Sequence, residues 1–382
     1  MTPLKYGVIG IKGVGGGHLR TLSDPEMDHG IVGAICDIDE DAAKSEADHY
    51  ELDVPVFADY KKMIAEADID AVTIATPHYL HCPMALAAME AGKHVLTEKP
   101  LCISVGEADQ MIETSEKTGL VVGVGHQRRW SSTHRSARKV IRDELLGRPM
   151  RFAYTATGIR HEGYYASAEW RGTWAEEGGA MCINQYVHDL DAICYILGNP
   201  VEVSGWAANW SHLHEADDLM HAIVLFENGF SGVISFSLVS AAGSAPVAQV
   251  FEGDGAVMAW GGGVKHHNGG ISLAKRSNAA EQFITEAPDS VKLELGEWEE
   301  GPKVDLPFEG RDLYYREFWK SVNEGAPFEG DAKACSQAIE LYNGILLSTV
   351  SGRRVSLPAD RAEVASMFAD LDSHKMELPR VR

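Results

Sequence analysis

Uninterrupted apolar runs alternate with helix-like segments along the first third of the chain. Tyr6-Gly7-Val8-Ile9, Ile31 to Cys36, Ala71 to Ala75, His94 to Thr97 and Leu120 to Val124 lack polar alternation. Such runs predict strands buried on both faces. The segments between them carry helix punctuation. Pro83 fits a first helical turn that Gly92 ends, Ser104 and Glu107 form a capping box, and Gly119 closes the helix that follows. Strands alternating with helices predict parallel βαβ units, hence an α/β fold with an N-terminal doubly wound parallel sheet over residues 1–125.

The pattern changes after residue 125. A basic helix is expected over Thr133 to Leu146, with Ala137, Val140, Ile141 and Leu145 as its buried stripe and Gly147 as its stop. Longer strands follow at Arg151 to Thr157, Val201 to Asn209, Leu219 to Glu227 and Phe230 to Leu238, with Asn228-Gly229 reading as a two-residue hairpin turn. Phe230, Gly232, Ile234, Phe236 and Leu238 share one face. Two late helices read from Arg311 to Asn323 and from Ala332 to Val350, and residues 261–310 are glycine- and charge-rich without an assignable order. Residues 126–382 therefore read as an α+β C-terminal domain with a large, mostly antiparallel open sheet, one face of which is available to helices or to another subunit. A length of 382 residues suits two domains.

Charge and cysteines narrow the class. The formal net charge is −22, which repels nucleic-acid phosphate and argues against a nucleic-acid partner. No apolar run is long enough to span a bilayer and no charged-then-apolar leader opens the chain, so a soluble cytoplasmic protein without a membrane partner is expected. Cys36, Cys82, Cys102, Cys182, Cys194 and Cys335 form no Cys-x-x-Cys pair and read as reduced, buried thiols rather than zinc ligands.

Four stretches carry candidate chemistry. Gly10-Ile11-Lys12-Gly13-Val14-Gly15 lies between the first strand and the first helix, where backbone amides and a helix N-terminus receive a pyrophosphate. The usual G-x-G-x-x-G spacing needs glycine at 10, 12 and 15, but Lys12 holds the middle place. Either Gly13 takes over through an altered turn or the Lys12 ammonium itself meets phosphate. Asp37 ends the second strand, where a carboxylate takes the ribose hydroxyls of NAD and repels the extra phosphate of NADP. Ile38 and Asp39 follow with no arginine to hold that phosphate. NAD is therefore the expected cofactor; the structural alternative for Asp37 is an N-cap of the next helix.

Thr97-Glu98-Lys99-Pro100 puts a lysine at the carboxyl end of a parallel strand, the edge where open α/β sheets bind ligands. A helix is expected from Glu177 to Leu197, stopping at Gly198. Asn184 and His188 lie four apart on one face, with Asp191 a turn further, and no third ligand makes this a metal site. Arg160-His161-Glu162-Gly163-Tyr164-Tyr165 and Trp170-Arg171-Gly172-Thr173-Trp174 mix aromatics with polar groups, as suits a polyol or sugar. His212, His214, His266 and His267 read as surface histidines.

Taken together, these residues make the chain resemble the Gfo/Idh/MocA oxidoreductases over nearly its whole length. The matches are the glycine turn ending in His18, Asp37, Ala75-Thr76-Pro77 with His81, Ala91 to Leu96 leading into Glu98-Lys99-Pro100, Gln127-Arg128-Arg129, and Gly178 to Asp191. Glu98-Lys99-Pro100 with Asn184 and His188 is the specific part. The resemblance implies a Rossmann domain, an open-sheet domain that often mediates oligomers, here a homodimer or homotetramer, and NAD(P)-dependent chemistry on a sugar, inositol or related carbonyl. It makes Lys99 the active-site lysine and His188 the catalytic histidine, with Asn184 where many members carry aspartate; an amide orients a hydroxyl but does not accept its proton. It further places Gly10, Lys12, Gly13, Val14, Gly15, Asp37, Ile38, Ala75, Thr76, Pro77, His81, Glu98, Lys99 and Gln127 against the cofactor. Arg128, Tyr164, Tyr165, Trp170, Arg171, Asn184 and His188 are implied substrate contacts. Two other readings keep the same residues: a transient NAD cycle with net glycoside hydrolysis or elimination, and a non-catalytic sensor of NAD or sugar.

Overall fold

The computed structural model describes residues 2–240, 248–261, 270–276, 294–307 and 310–380. The chain divides into two compact units. The first comprises Met1–Trp130, Ala175–Gly178 and Phe308–Ile339; the second comprises Ser131–Trp174, Gly179–Pro307 and Glu340–Arg382.

In the first unit, six strands form one parallel sheet. They are β1 (Leu4–Ile9), β2 (Gly30–Cys36), β3 (Val56–Phe57), β4 (Ala71–Ile74), β5 (His94–Thr97) and β6 (Val122–Val124), in the order β3-β2-β1-β4-β5-β6. The helices are α1 (Val14–Leu22), α2 (Glu40–His49), α3 (Tyr60–Glu66), α4 (His81–Glu90) and α5 (Val105–Thr118). Ser104 caps α5 by accepting from the Glu107 amide, Glu107 Oε2 takes the Ile103 amide at 2.9 Å, and Gly119 ends the helix at φ 71°. The strand order reverses between β1 and β4, so the switch point of the sheet lies at the ends of these two strands. There a Cβ on Gly10 would stand 2.7 Å from the Ala75 carbonyl oxygen, and only glycine lets the two strand ends approach.

The helix Arg311–Glu324 belongs to this unit, although the pattern of apolar positions put everything after residue 125 in the second domain. Its Tyr315 meets Tyr6 of β1 edge-on at 5.0 Å, and Trp319 Nε1 donates to the Thr2 carbonyl at 2.9 Å. A helical period shows that a face is buried; it does not show which core the face covers.

The second unit holds a nine-stranded sheet: β7 (Pro149–Thr157), β8 (Pro200–Ala208), β9 (Leu219–Phe226), β10 (Ser231–Ser237), β11 (Ala248–Gly253), β12 (Ala256–Gly261), β13 (Ser272–Lys275), β14 (Glu299–Glu300) and β15 (Val355–Ser356). The order is β14-β13-β12-β11-β7-β10-β9-β8-β15. Pairing is antiparallel except between β7 and β10. One face is covered by side chains such as Phe152, Tyr154, Phe236 and Phe251. The amides of Gly205 and Ala207 in β8 donate to Ser348 Oγ and Thr349 Oγ1 of the helix Ala332–Ser351, each at 2.9 Å. The other face shows Trp206, Ile223, Leu225 and Val233, all more than a third exposed.

Several local expectations change. The basic helix α6 runs Ser132–Arg142 and its chain closes with Glu144 at φ 54°, so Leu145 is exposed and Leu146 takes the buried place. The β9–β10 hairpin has a three-residue loop: the Gly229 amide donates to the Phe226 carbonyl and the Phe226 amide to the Phe230 carbonyl, with Gly229 at φ 91°. A turn followed by a left-handed glycine is the usual three-residue form. The helix expected from Glu177 begins only at Met181, is π-helical to Tyr186, and becomes α7 (Val187–Leu197). The short strand β3 and the helix Arg361–Asp372 lacked a legible pattern. His266 and His267 lie outside the described residues.

In β10 a Cβ on Gly232 would fall 2.0 Å from the Phe152 carbonyl oxygen of the neighbouring strand. Gly232→Ala is expected to destabilise the protein by about 1–3 kcal/mol, read as a lowered midpoint in chemical denaturation. An unchanged midpoint contradicts this packing.

Candidate active site

The glycine turn is shaped by backbone demands. Gly13 is the N-cap of α1 at φ 60°, has no side-chain cap, and is followed by a first turn without acidic residues. A Cβ on Gly13 meets open space, whereas one on Gly15 would fall 2.0 Å from the Gly10 carbonyl oxygen. Gly13 therefore supplies the left-handed position, and Lys12 is tolerated beside it. Lys12 Nζ turns to Asp39 Oδ2 at 2.8 Å; this hydrogen bond raises the lysine pKa and lowers that of Asp39. Asp39, not Asp37, caps α2 by accepting from the Ala42 amide.

Asp37 closes the turn instead. Its Oδ2 accepts from the Ile11 amide and its Oδ1 from the Asp39 amide, each at 3.0 Å. A half-buried carboxylate that accepts one bond on each oxygen keeps further lone pairs for hydroxyl groups. Beside it Ile38 is 94% exposed, an apolar face at a strand end, and Val14 opens α1 half-exposed. An uncapped helix N-terminus without acid, a positive-φ glycine facing open space, and a carboxylate next to an exposed apolar residue fit a dinucleotide.

At the end of β5 the chain places Lys99, half-buried, directly after a buried carboxylate. Glu98 is 4% exposed. Its Oε1 lies 2.9 Å from His18 Nε2 and 3.4 Å from Arg311 Nη2, and its Oε2 accepts from the Lys99 amide at 3.2 Å. A carboxylate only accepts, so His18 Nε2 carries a proton. His18 Nδ1 lies 2.8 Å from the Tyr315 hydroxyl, which reaches Thr73 Oγ1 of β4 at 3.1 Å. Burial pushes Glu98 toward neutrality, but the hydrogen bond and charge of His18, with Lys99 and Arg311, outweigh it and hold the carboxyl below the usual carboxylate range. Glu98 is thus placed to order the strand end and Lys99.

The other expected cofactor residues fall into two groups. Ala75, Thr76 and Pro77 follow β4 at the switch point, with the Ala75 amide on the Ile9 carbonyl at 2.8 Å. His81 is fully buried and its ring nitrogens lie 2.7 and 2.9 Å from the Pro100 and Thr76 carbonyls, so it fastens these two loops; burial lowers its pKa. Gln127 is exposed and Arg128 half-buried on a short helical turn, Gln127–Trp130. Arg129 is buried and donates to the Glu329 and Ala334 carbonyls.

In the second unit the π-helical segment carries Asn184, 6% exposed, and α7 carries half-buried His188. Asn184 Nδ2, Gln185 Nε2 and Arg171 Nη1 all reach the Tyr164 hydroxyl, at 3.1, 2.9 and 2.6 Å. The Arg171 guanidinium stacks between Tyr164 and Trp170, 4.3 and 4.6 Å from their ring centres. Arg160 donates to Gln185 Oε1 at 2.8 Å. Tyr165 packs behind this cluster on His214, with ring centres 4.1 Å apart. His212 and His214 are not surface residues. His212 bridges Asp218 Oδ2 and the Arg160 carbonyl, and burial together with His212 pushes His214 down to about 4.

Two models of one family match this chain. The first, described as an oxidoreductase family with an NAD-binding Rossmann fold, covers residues 4–126; the second, the family's C-terminal domain, covers residues 134–257. The chain belongs to the Gfo/Idh/MocA family. This Gfo/Idh/MocA chain is 33% identical to 1,5-anhydro-D-fructose reductase of Ensifer adhaerens over 36% of its own length and 41% of that enzyme. It is 25% identical to myo-inositol 2-dehydrogenase of Thermotoga maritima over 67% of its length and 75% of that enzyme. The fold is shared with the WlbA dehydrogenase of Bordetella pertussis, solved with NADH and UDP-GlcNAcA. That comparison has a TM-score of 0.77 and 22% identity, and covers 94% of this chain and 100% of the other.

Sequence reasoning missed Arg311 and Tyr315, which come from a distant helix, and Asp217 and Asp218, two buried acids just before β9. The depressed Glu98 pKa has a sign. Its stabilisation is present above the unfolded carboxyl value, about 4.3, and is lost as pH falls through the lower folded value. Glu98→Gln is expected to be less stable than the wild type at neutral pH, with the difference shrinking below about pH 4. Thermal melts at pH 7 and pH 3 read this, and a gap that widens in acid contradicts it.

Proposed function

We propose that this chain transfers hydride between NAD(H) and a secondary alcohol or ketone of a sugar, inositol or related polyol. The observation that carries the reading is Lys99 at the carboxyl end of β5 in a family whose members include sugar and inositol oxidoreductases. In the oxidative direction such a reaction removes a hydride from carbon and a proton from oxygen. Lys99 hydrogen-bonds that oxygen and stabilises its developing negative charge. His188 takes the proton as general base. Asn184, whose Nδ2 is held by the Tyr164 hydroxyl, orients the substrate and accepts no proton. Tyr164, Trp170, Arg171 and Arg128 are the proposed substrate contacts, with the Tyr164 and Trp170 rings on the C–H faces of a sugar; Tyr165, also expected as a contact, is buried against His212 and His214 and supports the cluster from behind. NAD, when bound, supplies the hydride acceptor.

NAD is preferred over NADP in this reading, because the Asp37 carboxylate and the neighbouring Asp39 disfavour a further phosphate. Six buried free cysteines fit a reducing, cytoplasmic setting. The exposed apolar face of β8, β9 and β10 supports a homodimer or homotetramer, which sedimentation velocity tests; a monomer mass at working concentration excludes it.

His188→Ala is expected to lower kcat by about 10²–10⁴ while NADH binding, read by fluorescence titration, stays unchanged. The assay is NADH absorbance on a panel of sugars, inositols and anhydro-sugars, run in parallel with NADP. Unchanged turnover removes His188 from the mechanism.

A further inference from the structure

The segment that carries Asn184 and His188 opens in an unusual way. Gly178 and Gly179 have φ of 78° and 138°, after which the chain enters π-helical geometry at Met181. The first amides of any helix lack partners within it, and Ala180, the N-cap, provides no side-chain cap. A single distant residue meets three successive amides. Asp217 Oδ1 accepts from the Ala180 amide at 3.1 Å, its backbone carbonyl from the Met181 amide at 3.0 Å, and its Oδ2 from the Cys182 amide at 2.9 Å.

Asp217 is fully buried, and the Tyr342 hydroxyl also donates to its Oδ1 at 3.1 Å. Tyr342 is equally buried in the helix Ala332–Ser351. A Cβ on Gly179 would fall 1.9 Å from that hydroxyl and 3.1 Å from Asp217 Oδ1, so glycine at 179 is what lets tyrosine and carboxylate close over the helix start. One residue further, Asp218 accepts from the Trp210, Ser211 and His212 amides and from His212 Nδ1, fixing the loop that packs on Tyr165. Two successive acids therefore face two different parts of the candidate site.

We propose that Asp217, latched by Tyr342 and admitted by Gly179, is a positioning residue that sets the register of the π-helical segment and thereby the placement of Asn184 and His188. It touches no substrate; it acts through the helix start. A π-helical turn places successive side chains at about 80° rather than 100°, so a relaxation of residues 181–186 toward α-helical winding rotates Asn184 against its neighbours. Asp217 holds all three amides at the end where such a change begins. The proposal rests on the reading that His188 acts in the reaction.

The test compares wild type, Asp217→Asn, Tyr342→Phe and His188→Ala in the NADH-absorbance assay. Amide hydrogen exchange is followed over residues 180–186, and NADH binding by fluorescence is used to count folded protein. Asp217→Asn replaces an acceptor with an NH2 group facing an N–H donor. It is expected to lower kcat on the order of 10²-fold, the cost of misplacing a reacting group by about an ångström. KM for NAD and NADH binding should stay unchanged, and exchange should accelerate at residues 180–186. Tyr342→Phe removes one hydrogen bond and keeps the amide contacts. It is expected to lower kcat by roughly fivefold, and it carries the test if Asp217→Asn fails to fold. Wild-type kcat per folded molecule in Tyr342→Phe or in Asp217→Asn, with lowered thermal stability as the sole change, overturns the proposal and leaves the role of His188 intact. Full turnover by His188→Ala overturns the role of His188, and the positioning role falls with it.

Discussion

One buried charge fixes the business end of the first unit. Glu98 follows the strand that delivers Lys99, and it sits in the interior as a carboxylate. Such a group persists in a protein interior only where it is paired and its lone pairs are used. His18 from the first helix, Arg311 from a helix more than two hundred residues later, and the Lys99 amide meet that requirement together. The same contacts bring α1, whose N-terminus carries the glycine turn, into register with the end of β5. The switch point and Lys99 are thus tied to one another by the need to pair a single buried carboxylate.

The second unit also buries acids, but the balance differs between them: burial raises the Asp217 pKa, whereas at Asp218 burial is outweighed by the hydrogen bonds of His212 and three amides, which lower it. Asp217 and Asp218 are both buried and saturated with donors, one at the start of the helix bearing Asn184 and His188, the other on the loop behind the aromatic cluster. Around them, the Tyr164 hydroxyl gathers Asn184, Gln185 and Arg171. The polar groups of this cluster are thus held by hydrogen bonds from several directions at once.

The parallel sheet was legible because its strands are buried on both faces and leave continuous apolar runs, and Lys99 because a strand-end lysine before proline stands out against that pattern. The glycine turn was legible in place but not in detail: the positive-φ demand falls on Gly13, which a motif with its middle glycine at 12 does not show. Other features had no local signal. The apolar face of Arg311–Glu324 does not say which core it joins, and the partners of His18 are set by that docking. An apolar stripe over six residues does not separate π from α winding, so the helix start at Met181 stayed hidden. His212 and His214 looked like surface residues because histidine is polar; Asp218 supplies the hydrogen bonds that let His212 be buried.

Direct hydride transfer from a sugar or polyol carbon to NAD leaves an isotopic trace. Myo-inositol and simple sugars deuterated at their carbinol carbons are incubated with the enzyme and NAD, and the recovered nicotinamide cofactor is analysed by mass spectrometry. One deuterium is expected in NADH, in amounts equal to the carbonyl product formed. Turnover of a labelled substrate that leaves the cofactor without deuterium contradicts direct transfer.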